Sequence, residues 1–290
     1  MVFEENEGLD EARERNVRDA LREDIGRGDW TSFLIPQDHR LNARVITREN
    51  AVQCGSAWFE GCIKALDPTA EVRWQGDDGA SFVAGTEICQ VSADARALLS
   101  AERSALNFLQ MLSAVATSTR HYVDSISGLS PNPKGCVVLD TRKTLPGLRQ
   151  AQKYAVRIGG GQNHRLALWD GILIKENHIA AAGGISAALK AAERLSTAVF
   201  IQVEVETLAE LHEALSAGAT NILLDNFSLE EMRDTFVVTA GRAWLEASGG
   251  IDLETVRKVA ATGVDRISVG KITKDIRAVD LSMRVDSTRS

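Results

Sequence analysis

The chain has 290 residues, of which 44% are apolar, and its 33 Lys and Arg against 40 Asp and Glu give a net charge of −7. That composition is enough to fill one large α/β domain or two smaller ones. The acidic balance argues against a general nucleic-acid binder, and there is no run of about 18 apolar residues to cross a membrane. The opening MVFEENEGLDEARER is acidic and polar and lacks a signal-peptide pattern, so a cytoplasmic protein is expected.

Residues 9–25 are predicted helical, because Leu9, Ala12, Val17, Ala20, Leu21 and Ile25 recur at helical spacing and Gly26 follows as a stop. Residues 41–92 read as a small α/β unit. It has strands near 42–47, 71–74 and 86–91 and a helix over 57–66 that ends at Asp67-Pro68. Nothing there has catalytic spacing, so a structural or subunit-contact role is expected. Residues 96–126 are one or two long helices with a stripe of Leu98, Ala101, Ala105, Leu109, Leu112 and Val115. Glu102-Arg103 falls off that stripe, as a solvated pair would. Cys54, Cys62, Cys89 and Cys136 show neither a C-x-x-C pair nor a metal-ligand spacing and read as small core residues.

From residue 136 on, short apolar strands alternate with amphipathic helices. The strands are expected at 136–140, 172–175, 199–205, 221–225, 243–247 and 266–269. The helices are expected near 150–158, 187–195, 208–217, 229–239 and 253–261. This alternation means parallel β/α units, two strands short of an eight-stranded barrel. The tail from 276 is expected to return to the first domain; the domains are expected at 1–115 and 116–275, with 276–290 as that tail.

Each strand end offers a polar group at the face where such folds bind ligands. Asp140-Thr141-Arg142-Lys143 follows the first strand, and Lys175 ends the second. Glu204 and Glu206 share one face of the third by alternation. Asp225 ends the fourth, Ser248-Gly249-Gly250 follows the fifth, and Ser268-Val269-Gly270-Lys271 spans the end of the sixth. The stretch 137–179 carries seven Lys or Arg against three acids, a local device for holding an anion in an acidic protein. Arg142 and Arg165 suit bidentate capture of carboxylates. His164 is either a pH-active base or a hydrogen-bond donor to a carboxylate. The glycine loops suit a phosphate, or are plain β-to-α turns. Glu204 with Asp225 suits sugar hydroxyls, Mg²⁺, a cationic transition state, or a salt bridge to a lysine.

The motifs DTRKTLPGLR (140–149), QKYAV (152–156), GGGQNHR (159–165), LIKENHI (173–179), VEVET (203–207), LLDNF (223–227), SGG (248–250) and ISVG (267–270) occur in this order. Together with ALREDIGRGDWTS, VITREN, ERSALNF and VDLSMR, they make the chain resemble the quinolinate phosphoribosyltransferase family. The resemblance implies an N-terminal open α/β sandwich and a C-terminal incomplete six-stranded β/α barrel. It implies phosphoribosyl transfer to quinolinate with decarboxylation, in the presence of Mg²⁺, by at least a homodimer. It places Arg103 across the dimer in the neighbour's site and Arg142, His164 and Arg165 around the quinolinate carboxylates. Thr141 is expected beside them. Lys143 and Lys175 would serve the dianion and the diphosphate. Glu204 and Asp225 would hold the ribose hydroxyls and the Mg²⁺ environment. Ser248, Gly249, Gly250, Ser268, Val269 and Gly270 would cradle the 5-phosphate. Trp169 and Lys271 depart from the family pattern and bear on pocket shape and phosphate affinity. Competing readings are a molybdate-operon paralogue acting on another base, a Schiff-base lyase using Lys175, and a non-catalytic nucleotide-binding regulator.

Overall fold

The computed structural model describes residues 6–37, 39–195 and 198–286. Its contacts divide the chain into two units. The first takes residues through Ser118, then Leu145–Gly159, then everything from Asp275; the second takes Thr119–Thr144 and Gly160–Lys274.

The first unit opens with helix α1 (Leu9–Ile25), which buries Ala12, Val17 and Leu21. The Glu11 carboxylate accepts the Gly8 amide at 2.8 Å and so satisfies one of the helix's orphan donors. After β1 (Arg40–Thr47) and β2 (Ala51–Val52), α2 (Ser56–Leu66) buries Trp58, Phe59, Cys62 and Ile63. Strands β3 (Glu71–Trp74), β4 (Ser81–Phe82) and β5 (Glu87–Asp94) lead into α3 (Ala95–Ile126). The long helical segment is therefore one helix of 32 residues, which no glycine or proline interrupts. Every residue of its expected stripe from Leu98 to Val115 is buried.

Next come β6 (Val137–Leu139) and α4 (Arg149–Ile158). Residues 145–159, expected within the barrel, group instead with the first unit. There α4 buries Ala151, Ala155 and Val156, while the Tyr154 ring packs tilted against Trp58 at 5.5 Å and its hydroxyl donates to Asp78 at 2.8 Å.

The remaining elements are β7 (Gly171–Ile174), α5 (Glu176–Ala182), α6 (Ile185–Arg194), β8 (Phe200–Val205), α7 (Leu208–Ser216), β9 (Asn221–Asp225), α8 (Leu229–Thr239), β10 (Trp244–Ser248), α9 (Val256–Ala260), β11 (Arg266–Ser268), α10 (Lys271–Lys274) and β12 (Leu281–Val285). Strand β12 pairs antiparallel with β1, so the first unit's sheet runs β12-β1-β5-β3; the last residues of the expected tail, 287–290, lie outside the described residues. Cys54, Cys62 and Cys89 are buried and Cys136 half-buried, and burial raises every thiol, those of Cys62 and Cys136 to about 12. They are core thiols rather than thiolate nucleophiles.

The second unit is built on a six-stranded parallel sheet in the order β6-β11-β10-β9-β8-β7. Edge strands β6 and β7 do not pair with each other, so the barrel is not closed. Outward positions such as Val203, Ile222, Leu224 and Leu245 are almost completely buried, each stabilising the fold by roughly 1.5–3 kcal/mol. Alternation sends Gln202, Glu204, Leu223, Glu246 and Ser268 the other way. A barrel interior is ordinarily packed with branched apolar residues. Here most of those inward positions are polar, which marks a site rather than a core.

Candidate active site

A cavity of about 300 Å³ opens at the carboxyl ends of these strands, lined by Thr141, Arg142, Lys143, His164, Arg165, Lys175, Glu204, Ser248 and Ser268 of the expected set. Leu173, Leu223 and Glu246 complete it. Four cations thus converge from the β6 loop, the 159–165 loop and the end of β7. Arg165 is anchored by Nη1 donating to the Gly171 carbonyl at 2.8 Å. Desolvation, and then the neighbouring Arg142 guanidinium, lower its affinity for its proton. A partly desolvated guanidinium crowded by a second one is a place where an anion would bring relief. The β6 loop is shaped by the Lys143 amide donating to Thr141 Oγ1 at 3.0 Å and by Thr273 Oγ1 donating to the Lys143 carbonyl at 2.8 Å.

The carboxylates lie among these cations. Lys175 Nζ donates to both oxygens of Glu204, at 2.8 and 3.2 Å, so the salt-bridge reading of Glu204 holds in this state. Asp225 is raised above the usual carboxylate range, first by desolvation and then by Glu204, while Lys175 and Lys143 pull it back. Exposed Glu206 is raised as well, by residual desolvation and then by Glu176, Glu210, Asp225 and Glu204. The strand-end carboxylates therefore crowd one another.

His164 sits at the inner wall. Its backbone amide donates to buried Asp140 at 2.9 Å, and Asn163 Nδ2 donates to the other oxygen of that carboxylate. Ring Nδ1 lies 2.7 Å from the Arg165 amide and Nε2 lies 2.9 Å from Gln202 Oε1. Both nitrogens are engaged by the protein, so the reading of His164 as a free base toward a ligand does not hold. Gln202 Nε2 donates to Glu246 Oε2 at 2.9 Å, and Ser268 Oγ makes a short bond to Glu246 Oε1. Gln202 and Glu246 were missed in the sequence reading. The signal was present, since each is a polar residue at an inward position with apolar neighbours on both sides in its strand.

The glycine loops have specific geometry. Gly249 has φ 108°, and a Cβ there would lie 2.2 Å from Asn226 Oδ1. Asn226 itself is left-handed, at φ 58°, and its amide donates to the Ser248 carbonyl at 3.1 Å. Gly250 is also left-handed, at φ 59°. Gly270 leaves room for Lys143, whose Cδ would be 3.2 Å from an added Cβ. Val269 is buried and its amide donates to the Leu139 carbonyl at 2.9 Å, so it holds the turn through its backbone. Asp225, Gly249, Gly250, Val269 and Gly270 are not among the residues that line the cavity.

Arg103 belongs to the first unit. It is exposed and lines a hollow of about 440 Å³ with Arg15, Asp19, Glu23, Asp24 and Gly147. Trp169 is 49% exposed, and Lys271 reaches Asp252 at 3.5 Å; neither lines the cavity. Of the cationic stretch 137–179, Arg149, Lys153 and Arg157 lie on α4 in the first unit, apart from the cavity set.

Fold and site together define an open β/α-barrel protein whose strand ends converge on a cation-lined cavity. The family profile described as quinolinate phosphoribosyl transferase, C-terminal domain, matches residues 115–284, and the N-terminal domain profile matches 29–113. A probable carboxylating nicotinate-nucleotide pyrophosphorylase of Bacillus subtilis is 40% identical over 264 residues, covering 91% of this chain and 90% of that one. A decarboxylating quinolinate phosphoribosyltransferase of Nicotiana tabacum is 37% identical over 289 residues, 92% of this chain and 80% of its own. The solved nicotinate-nucleotide pyrophosphorylase of Francisella tularensis superposes with a TM-score of 0.91 at 44% identity, covering 97% of this chain and 98% of that one. The chain belongs to the quinolinate phosphoribosyltransferase family.

Proposed function

We propose that the protein transfers the phosphoribosyl group of 5-phosphoribosyl 1-pyrophosphate to quinolinate, giving nicotinate mononucleotide, pyrophosphate and CO₂ in the biosynthesis of NAD. The observation that carries this reading is the cavity itself, where Arg142, Lys143, Arg165 and Lys175 converge on Glu204, with Asp225 ending the neighbouring strand. A dicarboxylate and a diphosphate together need that many cations, and a developing ribosyl cation needs the carboxylates. A Schiff-base lyase needs neither.

Arg142 and Arg165 hold the two carboxylates of quinolinate, with Thr141 beside them, and orient the pyridine nitrogen toward the ribose. His164 lines that pocket. The ribose C1–oxygen bond breaks with its electron pair leaving on the diphosphate, whose charge Lys143 and Lys175 stabilise. The ring nitrogen's lone pair forms the new bond to C1. Loss of CO₂ then leaves its electron pair in the pyridinium ring, and the ring carbon takes up a proton. Glu204 and Asp225 bind the ribose hydroxyls and stabilise the cationic sugar. Ser248, Gly249, Gly250, Ser268, Val269 and Gly270 take the 5-phosphate. The Lys175–Glu204 pair separates as the diphosphate arrives, exchanging one anionic partner of the lysine for another.

Mg²⁺ fits the Glu204/Asp225 pair. Both are hard oxygen donors, and desolvation and then Glu204 raise Asp225, a load that a dication held by this pair would lighten. Bound there, Mg²⁺ would neutralise charge on the diphosphate. Among the described residues no group of three or more His, Cys, Asp or Glu forms a metal cage, and Mg²⁺ typically takes only one or two carboxylates, with substrate and water supplying the rest. Arg103 completes the site of a neighbouring subunit in a homodimer, and the protein works in the cytoplasm. Among the described residues no helix is long and apolar enough to cross a membrane.

The test is an assay with purified protein, quinolinate, 5-phosphoribosyl 1-pyrophosphate and Mg²⁺. Nicotinate mononucleotide and CO₂ are expected in equal amounts, and omitting any component should abolish both. No product from folded protein, with turnover of another base on the same donor, would move the assignment to a paralogous activity.

A further inference from the structure

Beneath the cations the barrel interior carries a polar chain whose two middle members, Gln202 and Glu246, the mechanism above does not use. Glu246 and Gln202 are each 1% exposed, and the side chain of His164 is 9% exposed. The Arg165 amide can only donate, so His164 Nδ1 accepts and the neutral ring carries its proton on Nε2. Nε2–H then donates to Gln202 Oε1, and the amide nitrogen of Gln202 donates to Glu246. Rotating the Gln202 amide by half a turn would set an NH₂ against Nε2–H and an oxygen against the Glu246 carboxylate. Ser268 Oγ donates to the remaining Glu246 oxygen, and Phe200 packs edge-on to the imidazole at 5.8 Å between ring centres. Donors and acceptors therefore match in only one arrangement, with donation running from Arg165 through His164 and Gln202 to Glu246, where the Ser268 hydroxyl also donates.

We propose that Gln202 and Glu246 are positioning residues for the carboxylate pocket. They fix the His164 tautomer and ring, and His164 Nδ1 in turn fixes the Arg165 amide and so the start of the guanidinium arm. The ligand side of this proposal rests on the quinolinate reading above; the tautomer side does not. The logic is that of a histidine whose second nitrogen is held by an outer partner, with the backbone amide of Arg165 in the place where a metal would be.

The test begins with the wild-type protein. Long-range ¹H–¹⁵N spectra of the imidazoles, with His164 assigned by its loss in His164→Asn, should show the proton on Nε2 and a bare Nδ1. A proton on Nδ1 would overturn the proposal without any variant of the chain of residues. Gln202→Met keeps the unbranched shape and removes the relay. Quinolinate affinity, measured by calorimetry, should fall about tenfold, the KM for the phosphoribosyl donor should stay within about twofold, and the His164 Nε2–H signature should be lost. Unchanged quinolinate affinity in folded Gln202→Met protein would refute the positioning role. Wild-type protein that binds no quinolinate would refute the proposed function instead, and the imidazole spectrum would still decide the tautomer.

Discussion

Arg165 is held at two points, by its amide on His164 and by Nη1 on the Gly171 carbonyl, against the like charge of Arg142. Truncating it therefore removes a preorganised donor. Arg165→Ala or Arg142→Ala should raise the KM for quinolinate by about 10- to 100-fold, the range for losing a hydrogen bond to a charged group, with the donor KM changed far less. Steady-state kinetics with each substrate varied in turn checks this. Gly249→Ala should destabilise the protein by about 1–3 kcal/mol in urea unfolding, because alanine at φ 108° is strained and its Cβ meets Asn226. Asp225 gives a pH prediction. Its carboxyl is raised in the folded state, so the fold binds that proton more tightly than the unfolded chain does. The resulting stabilisation is full below the unfolded pKa and is lost as pH rises through the folded one. Asp225→Asn should therefore raise Tm over wild type more at about pH 7 than at about pH 4. An equal shift at both would show that desolvation and Glu204 together do not load this site.

Helix α8 carries the segment after the Asp225-Asn226 turn and starts with a reciprocal cap, in which Ser228 Oγ accepts the Glu231 amide at 3.2 Å and Glu231 accepts the Ser228 amide at 2.8 Å. Ser228→Ala should cost about 1 kcal/mol in chemical unfolding with little effect on either KM. That cap reads directly from S-L-E-E before a helical stripe, and α8 spans the expected residues. The six barrel strands also lie within a residue or two of their expected places, because short apolar runs between turn residues leave little room for another phase. Helix α5 was not foreseen. It has seven residues and buries none of them, so it leaves no apolar period to read; its start is set by His178 accepting the Lys175 amide at 3.0 Å. Helix α9 begins later than expected because Asp252 and Thr255 bond each other in a turn before it.

At the scale of the whole molecule, the proposed homodimer shares its sites. Arg103→Ala and Lys175→Ala proteins should each be nearly inactive, and mixing them with subunit exchange should restore about a quarter of wild-type activity, the share expected of one intact hybrid site among random pairings. No recovery after exchange, verified by mass spectrometry of tagged subunits, would place Arg103 outside the neighbour's site. The order of motifs along the chain was enough to establish the β/α alternation, the strand-end residues and the family, because alternation and turn chemistry are local. The clustering of seven cations in one stretch misleads. Residues 145–159 join the first unit, taking Arg149, Lys153 and Arg157 with them, while Arg142, Lys143, Arg165 and Lys175 line the cavity. Gln202 and Glu246 meet through side chains from β8 and β10, with β9 between those strands in the sheet. Strand phase is written in the sequence, but which strands become neighbours depends on non-local pairing and burial, and only the tertiary structure decides which charges share a site.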